Sequence, residues 1–565
     1  MGAGGERTER KGPLSGASRD FYGDELLAGP AGGAPAAAAP EEALARVRRA
    51  VAGRGAVVGG PYGPKRLLYA DWAAMGRALL PLERHLERDV LPLLANTHTT
   101  TSATGAQSSA FRHEARTVVA EALNARVTYH DRHSDVVLFA GTGCTGAVNK
   151  LVGVLGLKQP PPDGSPAPVV FVGPYEHHSN LLPWRETAAV VVPIPEDRLG
   201  RIDRAALAAA LREHAHRPLR IGSFSAASNV TGVLSEVDAV TEQLHRAGAL
   251  AFWDYAAAAP YVKVDMNPVT LGPDGALNPW VYKDAVFISP HKFPGGVGCP
   301  GLLVAKRALF ANAVPSQPGG GTVFFVTGKD HRYLSNREER EEGGTQDVLG
   351  SVRCGLVFQV KRAVGDEAIA GAEAALTRRL HGALAKCPQL YLLGPPPSSQ
   401  VQRLPLLSFL VRAPAPPRGG ATRFLHYNFV CAVLNDLFGI QSRGGCVCAG
   451  PYGLELLGVS GTDAAAIESQ LLRKVEVLRP GFSRVSLPYF ASEAEVGYVV
   501  AAVLLVAEHG WRLLPHYQFN HKTGEWRHHS RLRSYPERKW LASLGWPSSR
   551  AAGPAPAPAD RELAE

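Results

Sequence analysis

The sequence predicts an α/β fold with a mostly parallel sheet, followed by a smaller α+β domain. Short runs that are apolar throughout, such as "DVVLFA", "PVVFVG" and "DAVFIS", alternate with helical stretches such as "AALAAALREH". Continuous apolar strands between helices are typical of a sheet that helices cover on both faces. After about Leu349 the alternation loosens and Pro-rich connections such as "LLGPPPSSQ" appear, which indicates the second domain.

The chain divides into four predicted segments. Residues 1–65 are expected to be disordered or poorly ordered, because much of their length is too rich in Gly, Ala and Pro to bury a core. Within them, "EEALARVRRAVAG" predicts one short amphipathic helix. Residues 66–349 form the large domain and residues 350–515 the small domain. Residues 516–565 form a basic, polar tail, which we interpret as a solvated extension.

Composition excludes several classes of partner and compartment. The net charge of +9 is small for 565 residues and is spread along the chain, so nucleic acid is an unlikely partner. No apolar run reaches the roughly 18–20 residues of a membrane helix, and "VGYVVAAVLLVA" is better interpreted as a buried helix. Seven scattered cysteines and an N-terminus without a signal-peptide pattern predict a reducing, cytoplasmic location.

Chemically useful residues follow the predicted strands, where ligands bind in sheets of this kind. "FAGTGCTGAVNK" places Cys144 and Thr145 in a Gly-rich turn between a strand and a helix, which can cradle a phosphate. "FWDYAAAAP" places Asp254 at the end of an apolar strand, where a carboxylate needs a cationic partner. "FISPHKFPGGVG" places Lys292 after another strand, beside Ser289 and His291, where an interior lysine can form a Schiff base.

Two further strand ends carry His177 and Asn180 in "PYEHHSNLLPW", and Asn229 in "SAASNVTG". The adjacent histidines lack metal-ligand spacing, so no metal site is predicted, but one of them could stack on a planar ring. Each motif alone has an ordinary structural explanation, such as a simple turn or a surface lysine. Together they supply a phosphate cradle, a stacking group, a carboxylate for a ring nitrogen and a lysine for an aldehyde. Those are the demands of pyridoxal 5'-phosphate.

From about Tyr69 onward, over roughly three quarters of its length, the chain resembles the class V aminotransferase family of fold-type I pyridoxal-phosphate enzymes, especially its cysteine desulfurase branch. The motifs stand in the family's order, from "YADWAA", "GTGCTGAVN" and "EHHSNLLPW" to "SPHKFPGGVG", "EEGGTQ" and "RGGCVCAGP". The resemblance implies the fold-type I transferase architecture, with a seven-stranded type of sheet. It also implies L-cysteine as the favoured substrate and a homodimer.

The resemblance also implies roles for individual residues. Lys292 is similar to the Schiff-base lysine that moves protons at the substrate α-carbon, and Asp254 to the partner of the pyridine nitrogen. His177 is similar to the stacking histidine and Asn229 to the residue near the ring oxygen. Substrate binding is implied for Asn180 and Arg443, and phosphate contacts for Cys144, Thr145, Ser289, His291 and, across a subunit boundary, Thr345.

Two positions depart from the family pattern. Ala257 stands where the desulfurases usually have Gln, and Gly146 stands where the phosphate loop usually has Glu. The first change removes a hydrogen bond to the cofactor oxygen and leaves the reaction preference open.

The stretch "SRGGCVCAGPYG" allows four interpretations of Cys446 and Cys448. A zinc site needs more ligands than these two, a disulfide is unlikely in a reducing compartment, and inert packing fits poorly with the flanking glycines. The fourth is a working thiol. The resemblance favours it, because desulfurases have an Arg five residues before a nucleophilic Cys, here Arg443 and Cys448. Cys446 has no counterpart, and whether it carries sulfur is open.

The expected function is a desulfurase-like conversion of L-cysteine to L-alanine. A persulfide would form on Cys448 and pass to a possible sulfur-acceptor protein. Other class V reactions stay open, namely aminotransferase, selenocysteine- or kynurenine-type lyase and epimerase chemistry. A catalytically degenerate binding protein with this fold is the alternative from a different class.

Overall fold

A seven-stranded sheet forms the centre of the large domain. The computed structural model describes residues 39–541, with gaps at 98, 100, 129–130, 132–133, 273, 397–399, 415–420 and 533–538. The strands run in the order β1-β7-β6-β5-β4-β2-β3; β7 is antiparallel to both neighbours and all other pairs are parallel. This confirms the predicted mostly parallel sheet. The strands are β1 Asp135–Phe139, β2 Val169–Val172, β3 Val190–Pro193, β4 Arg220–Ser225, β5 Leu250–Asp254, β6 Ala285–Ile288 and β7 Leu302–Lys306.

The sheet is buried on both faces, which explains why its strands are apolar without alternation. On β5, Phe252 packs into one hydrophobic cluster and Trp253 into another, on the opposite face. The helices up to residue 364 are α1 Pro40–Ala50, α2 Leu80–His85, α3 Ala103–Ala122, α4 Gly143–Val154, α5 Leu182–Arg185, α6 Arg204–Glu213, α7 Val237–Arg246, α8 Arg337–Glu341 and α9 Val348–Val364.

The small domain is built on a four-stranded antiparallel sheet with the order β8-β9-β11-β10. Its strands are β8 Leu390–Leu392, β9 Leu406–Val411, β10 Arg443–Gly445 and β11 Phe482–Ser486, and its helices are α10 Asp366–Leu384, α11 Tyr427–Phe438, α12 Gly450–Leu456, α13 Gly461–Leu472 and α14 Glu493–His509.

Helix α14 carries the apolar stretch that was interpreted as a buried helix. Ser492 starts it with a capping box, in which its hydroxyl accepts from the Glu495 amide and the Glu495 carboxylate accepts in return. The helical stretch Glu493–His516 is long and apolar enough to cross a membrane by length and composition alone. Its valines, including Val499 and Val503, pack in the small-domain core, which accounts for the apolar face.

The two terminal segments are partly integrated into the fold. Helix α1 packs Ala43 and Val47 into the large core, whereas residues 1–38 lie outside the described chain. Residues 517–528 are not a solvated extension: the strands Tyr517–Phe519 and Trp526–His528 pair with each other, and Trp526 lies 5.2 Å from Phe429 of α11. The remaining tail, from residue 542, lies outside the described residues.

Gly146 in α4 has no room for a side chain. A Cβ there would lie 2.0 Å from the Ala140 carbonyl oxygen, so the usual Glu cannot be placed on this backbone. At Gly382 in α10, nothing lies within 4 Å of the equivalent position.

We therefore expect Gly146→Ala to lower the free energy of unfolding by about 2–3 kcal/mol. Gly382→Ala should raise it by about 0.5–1 kcal/mol through helix propensity. Urea unfolding of both variants measures the contrast. Equal effects would mean that the turn before α4 relaxes freely.

Candidate active site

A pocket of about 210 Å³ lies at the carboxyl ends of the large-domain strands, closed on one side by the small domain. Its position agrees with the expectation for a parallel α/β sheet. Most predicted site residues line it together: Lys292, His177, Asp254, Asn229, Cys144, Thr145, Ser289, His291 and Arg443. The lining also includes Arg484, Ser179, Val447 and the segment Ala73 and Ala74.

The turn before α4 forms a compact cradle. Gly143 has φ +58°, and a Cβ there would lie 2.8 Å from a ring carbon of His291, so only glycine fits. The Cys144 amide donates to the Ser289 hydroxyl at 2.9 Å, and the Thr145 and Ser179 hydroxyls are 2.6 Å apart. Amides at the start of a helix together with hydroxyl groups form a typical phosphate site.

Asp254 and Lys292 both line the pocket, and the charge of each shifts the pKa of the other. Burial raises the pKa of Asp254, while the Ala256 amide, which donates to it at 2.7 Å, and the Lys292 charge act in the opposite direction. The Cys144 thiol also forms a hydrogen bond with the Asp254 carboxylate. Burial lowers the pKa of Lys292, and Asp254 partly offsets this. A lysine with a lowered pKa is a better amine nucleophile near neutral pH.

The His177 ring is held neutral and in one tautomer. The Ser179 amide donates to its Nδ1 at 3.1 Å, so the proton of the neutral ring is on Nε2. Burial, followed by the charge of Lys292, lowers the pKa of His177 to about 3. Burial likewise lowers the pKa of His291 to about 4. A neutral imidazole is suited to lie against a planar ring.

Sequence reasoning missed a second arginine in the pocket. Arg484 on β11 lies directly opposite Arg443 on the neighbouring antiparallel strand β10. Arg484 is 2% exposed and donates to Asp71 Oδ1 and to the Asn229 carbonyl, each at 2.8 Å. Among the described residues its Nε has no partner. Arg443 is more open and lies 3.9 Å from the same Asp71. An arginine inside a short buried strand, as in "FSRVS", was the available signal.

Three predicted site residues do not line the pocket: Asn180, Thr345 and Cys448. Asn180 is fully buried, donates to Glu176 at 2.6 Å and accepts from Trp184 and Ser223. Its amide is therefore saturated by the protein, and the prediction that it binds substrate is not supported by its position. Thr345 is exposed outside the pocket. Its predicted contact to a neighbouring subunit's phosphate stays a prediction.

The cysteine loop, residues 446–449, is a strained turn beside the pocket. Val447 and Cys448 both have positive φ, at +47° and +59°, and the Ala449 amide donates to the Cys446 carbonyl at 3.0 Å. Positive φ is unfavourable for residues other than glycine, and more so for a β-branched one. The His178 amide and the Asn229 side chain hold the turn by donating to the carbonyls of Cys448 and Val447, each at 2.8 Å.

Cys448 itself is half-buried and lies next to the lining rather than in it. All seven cysteines, including Cys446 and Cys448, are free thiols. Within the part of the chain that the structure describes, no group of three or more His, Cys, Asp or Glu side chains could hold a metal ion. The disulfide and zinc interpretations of the loop therefore find no support.

The residues of this pocket fit pyridoxal phosphate. The glycine cradle with Ser289 and His291 suits the phosphate, and Asp254 can pair with a protonated ring nitrogen. Lys292 suits the aldehyde, with His177 beside it. The side-chain oxygen of Asn229 is buried without a partner among the described residues, and so remains available to a bound group.

Fold and pocket together define a fold-type I pyridoxal-phosphate enzyme. Residues 71–499 match the family model "Aminotransferase class-V", and the chain belongs to that family. It is similar to a cysteine desulfurase of Dickeya dadantii (strain 3937), with 27% identity over 393 residues, 68% of this chain and 84% of that protein. A cysteine desulfurase of Synechococcus elongatus is 28% identical over 369 residues, which cover 64% of this chain and 52% of that protein.

A solved structure supports the fold. The apo structure of a cysteine desulfurase from Thermococcus onnurineus NA1 has a TM-score of 0.61 and 21% sequence identity, covering 78% of this chain and 95% of that one.

The depressed pKa of His177 predicts a pH-dependent stability. Between about pH 6.5 and pH 3 the unfolded chain binds a proton that the folded chain does not, so the free energy of unfolding falls as pH decreases through that window. From about pH 7 to pH 5 the cofactor-free wild type should lose about 1–2 kcal/mol more than His177→Asn. Urea unfolding at both pH values measures this, with the exposed His216→Asn as control. Parallel losses in wild type and His177→Asn would contradict it.

Proposed function

We propose that the protein is a pyridoxal-phosphate enzyme of the cysteine desulfurase type, which converts L-cysteine to L-alanine and transfers sulfur to Cys448. The proposal rests on one observation, that residues of the large and the small domain line the same pocket. Lys292 and Asp254 lie in the large-domain part of one pocket, and Arg443 and Val447 of the small-domain segment that carries Cys448 line its other side.

The chain's own residues divide the work. Bound pyridoxal phosphate supplies the electron sink that stabilises negative charge at the substrate α-carbon. Asp254 holds the proton on the ring nitrogen, because its buried carboxylate needs a cationic partner. Lys292 accepts and returns the proton at the α-carbon, a role that its lowered pKa favours. The neutral His177 would lie against the ring of the bound cofactor.

Two guanidinium groups position the substrate. Arg484 is fixed by Asp71 and the Asn229 carbonyl, so it can grip a carboxylate without losing much side-chain entropy. Arg443 lies beside it on the next strand and is half-exposed, which lets it follow the substrate. We assign the main carboxylate contact to Arg484 and a supporting contact to Arg443.

The sulfur step uses Cys448. Its thiolate attacks the substrate sulfur, an S–S bond forms, and the C–S bond breaks with its electron pair returning to carbon. That carbon takes a proton and becomes the methyl group of L-alanine, while Cys448 carries the persulfide. An external thiol or a sulfur-acceptor protein then removes the sulfur. Because Cys448 is half-buried beside the lining, its side chain must rotate toward the pocket.

We expect Cys448→Ser to abolish L-alanine and sulfide formation from L-cysteine in the presence of a thiol reductant, a loss of about 100-fold or more. Cys446→Ser is the matched control two residues away and should retain both products. If Cys448→Ser stays active and Cys446→Ser does not, the persulfide forms on Cys446. If neither matters, or wild type with bound cofactor leaves L-cysteine intact, one of the other class V reactions takes its place.

Arg484→Lys should lower kcat/KM for L-cysteine by about 10- to 100-fold, because lysine keeps the charge but loses the paired hydrogen bonds. Steady-state kinetics measures this, and thermal unfolding checks that the variant folds. Arg443→Lys should have a smaller effect, and the exposed Arg479→Lys none. A larger loss of kcat/KM in Arg443→Lys than in Arg484→Lys would show that Arg443 makes the main carboxylate contact.

We also propose a homodimer in the cytoplasm. The hairpin strand Val323–Val326 exposes Phe324, Phe325 and Val326 by 51%, 63% and 58%, which suits burial against a second copy. The free thiols suit a reducing compartment. Sedimentation velocity should show a dimer that Phe325→Lys weakens, whereas Phe519→Lys, at a phenylalanine that is 52% exposed elsewhere on the surface, does not. A wild-type monomer would count against the dimer.

A further inference from the structure

A second cavity, of about 710 Å³, lies outside the active site. It opens where the end of α1, residues 51–55, residues 66–77 and residues 487–498 of the small domain meet. No residue lines both this cavity and the active-site pocket of about 210 Å³, so the larger space has no part in the proposed reaction. Its volume is in the range that accommodates small organic ligands.

The walls combine aromatic rings with arginines. Trp72 and Phe490 meet edge to face with ring centroids 5.2 Å apart, and Tyr69 lies 5.7 Å from Trp72. Both Trp72 and Phe490 are buried, so this side is firm and apolar. Four arginines complete the lining: Arg48, Arg54, Arg66 and Arg77.

The positive charge is largely uncompensated. Arg48 donates to the Phe490 carbonyl at 2.6 Å and Arg77 to the Ala52 carbonyl at 3.2 Å, and both acceptors are neutral. Glu495 is the one carboxylate among the described lining residues. Its Oε2 accepts from the Ser492 amide and hydroxyl in the cap of α14, and its Oε1 lies 3.4 Å from Arg54.

A glycine keeps one of these arginines in place. Gly53 has φ +75°, and a Cβ at that position would lie 2.8 Å from Nη2 of Arg77. The missing side chain lets the Arg77 guanidinium reach the Ala52 carbonyl and stand 5.0 Å over the Tyr69 ring. The guanidinium is thus oriented before any ligand binds, which lowers the entropic cost of binding.

We propose that this cavity is a binding site for a small organic anion with a flat apolar body. The body would lie against Trp72 and Phe490, and a carboxylate, sulfonate or phosphate group would pair with the arginines. An anion is favoured over a cation because the four guanidinium groups face one partly committed carboxylate. The site does not depend on the desulfurase reaction.

The cavity shares a wall with the active site. Within residues 69–77, Trp72 lines the second cavity, whereas Ala73 and Ala74 line the active-site pocket. Asp71, which accepts a hydrogen bond from Arg484, directly precedes Trp72 in this turn. A ligand in the second cavity therefore contacts the same turn that positions the substrate-binding arginine.

The test measures binding of the probe 8-anilinonaphthalene-1-sulfonate to the purified, cofactor-loaded full chain by isothermal titration calorimetry. We expect one saturable site per chain whose affinity falls with added salt. Arg66→Gln and Arg48→Gln should each weaken binding about fivefold. Arg49→Gln is the matched control: Arg49 neighbours Arg48 but faces solvent and pairs with Glu42.

Equal affinity in wild type, Arg66→Gln and Arg48→Gln would overturn the proposal. The absence of saturable binding would also overturn the proposal. Thermal unfolding checks the fold of Arg48→Gln. Arg66 is exposed on a strand edge, so its variant decides the question even if Arg48→Gln is unstable.

Discussion

The buried ion pair between Arg484 and Asp71 organises the active site. Asp71 lies in a segment bonded along β11: the Ser486 amide donates to the Ala70 carbonyl at 2.8 Å, and the Ala73 amide to the Ser486 hydroxyl at 2.9 Å. Arg484 in turn bonds the Asn229 carbonyl of the large domain. Removing the partly buried Asp71 would leave the buried Arg484 charge without its ionic partner, which is destabilising. Arg484, which Asp71 holds in place, therefore joins the small domain to Asn229 of the large domain across the pocket.

The cysteine loop depends on the same junction. Its two positive φ values are unfavourable, and hydrogen bonds from His178 and Asn229 offset that cost. The side chain of Asn229 thus donates a hydrogen bond to the loop, and its backbone carbonyl accepts one from Arg484. The proposed substrate-binding Arg484 and the cysteine loop are therefore both bonded to one residue of the large domain, so a change in domain spacing would disturb both.

Much of the large domain and of its half of the site could be predicted from sequence, because parallel strands bring their carboxyl ends to one edge. This is why Asp254, Lys292 and Cys144 meet although they are far apart in the chain. The position of Arg484 was not predicted: "FSRVS" marks an arginine in a buried strand, but only the pairing of β10 with β11 places it in the pocket. Asn180 stands in a recognisable motif, but only three-dimensional packing reveals that its amide is saturated by Glu176 and its neighbours.

The strand pair at residues 517–528 has a consequence for where the folded unit ends. The family match stops at residue 499, yet Trp526 covers Phe429 and the Gly524 carbonyl accepts from Asn428, both on α11. Helix α11 leads directly into β10 and Arg443. A chain that ended at residue 499 would expose the apolar face of α11, which would promote aggregation. The autonomous folding unit of this enzyme is thus longer than its homologous region.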